Sequence, residues 1–94
     1  MSIKPISVTS GITSQGAIKA SAGYLVWIHV HNSTGNGLYC TLNNATSGTG
    51  SEILRIAVPG DDSKFRHFGA DFFFGTGIWV GVIESGLYVT AGYR

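Results

Sequence analysis

The chain has 94 residues, room for one domain near the small end of the range in which a single core suffices. Only 12% of its residues are charged, about half the usual share of roughly 25%, and its formal net charge is +1. Without clustered Lys and Arg no nucleic-acid partner is expected; no run approaches the roughly 18 apolar residues of a membrane-spanning helix, and a single cysteine builds no intrachain disulfide framework.

Helical periodicity never persists beyond two turns. Strand signals recur instead at even spacing, separated by turn chemistry. The opening MSIKPISVTSG lacks the long apolar core and cleavage pattern of a secretion signal, so synthesis in the cytoplasm is expected and residues 1–5 read as a loose arm. Strands are predicted at Ile6–Thr9 and Ala17–Ala20, then at Tyr24–His31. In that third strand Tyr24, Val26, Ile28 and Val30 alternate with Leu25, Trp27, His29 and His31, so both faces are apolar or aromatic. NSTGNG (Asn32–Gly37) follows, a turn whose Gly and Asn tolerate positive φ. Leu38–Leu42 is next and encloses Cys40, which reads as a buried, inert thiol. A flexible loop, Asn43–Ser51, leads to Ile53–Val58. PGDD (Pro59–Asp62) is a tight turn in which Gly60 is free to take the left-handed region. Lys64–Phe68 and Asp71–Phe74 are two strands, or one bent at Gly69. Ile78–Ile83 is again two-faced, with Ile78, Val80 and Val82 against Trp79, Gly81 and Ile83; ESG (Glu84–Gly86) then turns into Leu87–Tyr93. The pattern predicts an all-β chain: a single β-sandwich or jelly-roll-like domain of eight or nine short strands spanning residues 1–94.

Two strands apolar on both faces in so short a chain need a cover from outside it. Trp27, Trp79, Leu25 and Ile83 are therefore expected at an interface between copies. Seven of the eleven charges fall in Glu52–Asp71, which marks this segment as a polar rim or a contact surface.

Enzyme-like patterns are weak. His29 and His31 share a strand face, as in the opening of the first cupin motif, but no carboxylate follows and the second motif's spacing is missing. Asp61, Asp62 and Asp71 do not follow a calcium-loop pattern, and Lys64 and Arg66 intervene. Ser63, His67 and Asp71 lack the setting of a nucleophile. No cofactor or metal is expected. Tyr24, Trp27, Tyr39, Trp79, Tyr88 and Tyr93 offer flat faces for sugar stacking or for protein contact.

The runs ASAGYLVWIHVHNSTG (Ala20–Gly35), LNNATSGTGSEILRI (Leu42–Ile56) and FGTGIWVGVIESGLYVTAGYR (Phe74–Arg94) resemble small all-β structural proteins of tailed bacteriophages. The likeness covers roughly residues 16–94 and lies in strand and loop texture. It implies a non-enzymatic virion protein assembled in the host cytoplasm, a head decoration (cement) protein that binds the major capsid protein as a symmetric oligomer, a homotrimer. On that reading Asp61, Asp62, Lys64 and Arg66 are expected to contact the capsid, with Lys4 on the arm as a competing contact. The alternatives are a tail or fibre component that binds host glycans through exposed aromatics, and a small cupin-like metal-binding protein.

Overall fold

A computed structural model describes residues 6–48 and 50–94, the side chains of Ser10 and Ala70 excepted. Eight strands lie among them: β1 (Ser7–Ile12), β2 (Gly16–Lys19), β3 (Gly23–Asn32), β4 (Leu38–Asn44), β5 (Ser51–Val58), β6 (Ser63–Phe74), β7 (Ile78–Ile83) and β8 (Leu87–Tyr93). The two segments on either side of Gly69 are one bent strand, β6.

The strands form two antiparallel four-stranded sheets, the first ordered β1-β8-β3-β6 and the second β2-β7-β4-β5. The pairs β1·β8, β2·β7, β3·β6 and β4·β5 nest inside one another. The chain is thus one long hairpin rolled over itself, an eight-stranded jelly roll. Leu25, Ile28 and Val30 of β3 and Val89 and Ala91 of β8 face Cys40 and Leu42 of β4, Ile56 and Val58 of β5, and Ile78 and Val80 of β7. Each large aliphatic buried in this way contributes about 2 kcal/mol.

Two bulges decide which side chains enter that core. Leu25 pairs with Tyr93 and Trp27 with Gly92, which leaves Val26 as an extra residue in β3. Ahead of the slip the alternation is reversed, so Leu25 joins Ile28 and Val30 inside, fully buried, while Tyr24 turns outward. In β7, Val80 pairs with Leu42 and Val82 with Thr41, so Gly81 is the extra residue. Beyond it Ile83 packs against the core and Val82 is exposed. The expectation of Leu25 and Ile83 on an outer face is therefore corrected: in each strand one inserted residue exchanged the faces.

Two turns also differ from expectation. No residue of Asn32–Gly37 takes positive φ. The amide of Asn32 builds that turn instead. It is fully buried, and its Nδ2 donates to the carbonyls of Asn36 (2.7 Å), Val58 (3.1 Å) and Pro59 (3.2 Å). Its Oδ1 accepts from the Thr34 N–H (2.9 Å) and hydroxyl (2.7 Å). At the β5–β6 corner Asp61, not Gly60, is left-handed, with φ 55°. Gly60 is required for another reason: a Cβ there would run into the backbone of Gly35.

Candidate functional site

The alternation that fills the core leaves an aromatic outer face on the first sheet. β3 presents Tyr24, Trp27, His29 and His31. From β6, Phe73 lies opposite Tyr24, His67 opposite Trp27, Phe65 opposite His29 and Ser63 opposite His31. β8 adds Tyr88 beside His31, Thr90 beside His29 and Gly92 beside Trp27. All three histidines of the chain share this surface.

Cross-strand ring pairs order it. Tyr24 and Phe73 meet at 5.1 Å between centroids, Trp27 stacks on Phe65 at 5.9 Å, and His31 stacks on Tyr88 at 6.4 Å. Gly92 makes the seat for Trp27, because any Cβ there would occupy the indole's place. Nδ1 of His31 lies 2.9 Å from the Ser63 hydroxyl. Phe65 is 60% exposed and Phe73 57%, and Val8, Tyr24 and Tyr88 are exposed beside them. At roughly half of a ~200 Å² side chain each, these five present on the order of 500 Å² of apolar surface, at the upper end of what a monomer shows.

The tryptophans do not share a surface. Trp79 alternates with the buried Ile78 and Val80 and so lies on the outer face of the second sheet. It is half-buried there, and its indole N–H is buried without an acceptor among the described residues. The other aromatics named from the sequence separate in the same way. Tyr39 carries the Arg55 guanidinium 4.5 Å above its ring, and Tyr93 packs partly into the core. Phe73 was missed because it sits in an apolar run of three phenylalanines, and Phe65 because charge marks the SKFRHF strand as a polar rim. Alternation is the signal that finds Phe65: it and His67 point one way, Lys64 and Arg66 the other.

The charged segment resolves into two parts. Asp61 and Asp62 sit on the β5–β6 corner. Lys64 and Arg66 lie opposite Val30 and Ile28, so they leave β6 on its inner side. β6 is an edge strand, however, and both side chains are exposed there, with β5 of the second sheet bordering that side. The two cations flank a cleft of about 150 Å³, shared with Arg55, Ile56 and Ala57 of β5. Arg55 is paired with Glu52 at 3.1 Å, while Lys64 and Arg66 carry no ion pair among the described residues. Lys4 and the arm of residues 1–5 lie outside the described residues.

A larger open groove, about 730 Å³, runs between the β1–β2 turn and the β7–β8 hairpin. Thr13, Ser14, Gln15, Ser85 and Tyr88 give it an uncharged polar lining, with Val82 as an apolar wall. Gln15 donates to the Gly81 carbonyl at 3.1 Å. Among the described residues no three His, Cys, Asp or Glu side chains converge as metal ligands. Cys40 is fully buried and loss of solvation raises its thiol to a pKa of about 11, which leaves it a packing group. No protein-family model, curated protein or solved structure matches the chain.

Proposed function

We propose that the chain is a non-enzymatic virion structural protein, a decoration module that attaches to an assembled phage head and stabilises it. The aromatic outer face of β3, β6 and β8 carries this reading. A strip of exposed rings costs solubility in an isolated copy and gains free energy when another protein covers it. The texture of the sequence and the recurrence of jelly rolls among viral capsid domains agree, the latter as a fold-level analogy only. A protein that binds only the assembled shell stabilises it by mass action, and many copies multiply a modest affinity. The oligomer proposed is a homotrimer. A threefold ring needs heterologous contacts, so the aromatic face of one copy meets a different surface of the next. Attachment to the major capsid protein is assigned to the β5–β6 corner with Asp61, Asp62, Lys64 and Arg66.

Sedimentation velocity tests the face directly. The wild-type chain is expected to sediment as a closed oligomer at micromolar concentration, and Phe65→Ser with Tyr88→Ser to sediment as a folded monomer. A monomeric wild type whose Trp27 is fully open to an aqueous quencher overturns the assignment. The uncharged groove beside Tyr88 favours a second reading, a tail or fibre component that holds a neutral glycan. Locating the protein on particles by cryo-microscopy separates the two.

A further inference from the structure

Resting on that docking role, the geometry points to a specific partner for the open edge of β6: we infer that this strand accepts an extended segment of the partner protein in which acidic and apolar residues alternate. β6 ends the first sheet and pairs only with β3, so every second residue turns its N–H and C=O away into solvent. An added strand forms its ladder with these groups, and each of its residues faces the same way as the β6 residue opposite. Ser63, Phe65 and His67 point to the aromatic face, whereas Lys64 and Arg66 point to the cleft shared with Arg55. Residues opposite Phe65 and His67 therefore extend the ring surface and are apolar. Those opposite Lys64 and Arg66 enter a cleft in which these two cations carry no ion pair among the described residues, Arg55 being held by Glu52 and Tyr39, and are Asp or Glu.

The same charges argue against a second copy as the occupant. Two β6 edges side by side bring Lys64 and Arg66 of one chain against the cations of the other, a repulsion of the kind that keeps edge strands from self-pairing. An acidic strand meets no such barrier. The edge thus rejects its own kind and selects by period as well as by charge.

The test uses the full chain and two fluorescein-labelled heptapeptides of one composition, Ser-Glu-Val-Glu-Phe-Glu-Ser and Ser-Glu-Glu-Glu-Val-Phe-Ser, with a single-stranded oligothymidylate as a third probe. Fluorescence anisotropy at 50 mM salt is expected to show the alternating peptide binding at least tenfold tighter than the block peptide. N-methylation of alternate peptide amides in the register that faces β6 is expected to abolish binding. Lys64→Glu with Arg66→Glu, or the milder pair Lys64→Gln with Arg66→Gln should the first lose its fold, is expected to weaken it at least tenfold. Equal binding of both peptides reduces the cleft to a site of net charge and overturns the proposal. So does tighter, Lys64- and Arg66-dependent binding of the oligonucleotide, or no peptide binding at millimolar concentration. The charge variants leave the ring face untouched, so sedimentation and anisotropy fail independently.

Discussion

Asn32 makes more hydrogen bonds through its side chain than any other buried polar residue among those described. Its buried amide joins the end of β3 to the end of β5, and hence one sheet to the other: its two N–H groups are shared among the carbonyls of Val58, Pro59 and Asn36, and its Oδ1 accepts from the Thr34 N–H and hydroxyl within the turn. Asn32→Ala strands the carbonyls of Val58 and Pro59 and the N–H of Thr34, and is expected to cost about 3 kcal/mol. Urea denaturation checks this as a lower midpoint with an unchanged slope. Cys40 supplies a pH dependence. Its folded pKa, raised by burial from the ordinary 9.0 to about 11, favours the neutral thiol in the folded state. The corresponding stability is fully present below pH 9 and is lost as pH climbs through 11, with a magnitude of about 3 kcal/mol. Cys40→Ala is expected to flatten the decline between pH 9 and 11, and the native thiol to stay unreactive toward a disulfide reagent until the chain unfolds.

At the level of strands, the alternation of apolar residues was enough to find β1 to β8 nearly at their observed limits, and even to suggest that β6 is bent. Which face each residue takes was only partly legible. Gly81 carried the ordinary mark of a bulge, a glycine inside a strand, but Val26 has nothing in its chemistry to mark it as inserted, and a period of two carries no signal that it has slipped. Leu25 and Ile83 were therefore read as residues of an interface between copies. The bulge in β3 is testable by removing it. Deleting Val26 forces Leu25 outward and Tyr24 inward, or else breaks the pairing with β8, and an expected loss of about 3 kcal/mol or more is read by thermal or urea unfolding. Unchanged stability means that the slip has no structural role. The candidate surface was hidden for a related reason. Charge drew the reading toward SKFRHF as a whole, while the strand sends Phe65 and His67 to one side and Lys64 and Arg66 to the other.

On the scale of the molecule, composition announced an unusually neutral chain, and the fold shows where the neutrality is spent: on one face of rings and on an uncharged end groove. The nested pairing of strands has a further outcome, in the order of synthesis. β8 lies between β1 and β3, and β7 between β2 and β4, so each sheet is joined at its middle by a strand made after both of its neighbours. Until those strands leave the ribosome, β1 and β2 have no partner in either sheet, and only the β4·β5 hairpin closes a short loop. Ser7 waits for Tyr93. High contact order of this kind makes folding slow and all-or-none. The newborn chain must hold its future core and its ring face exposed together until β7 and β8 have emerged, so its chief aggregation hazard falls before the sheets close, and a co-expressed chaperone is expected to raise its soluble yield.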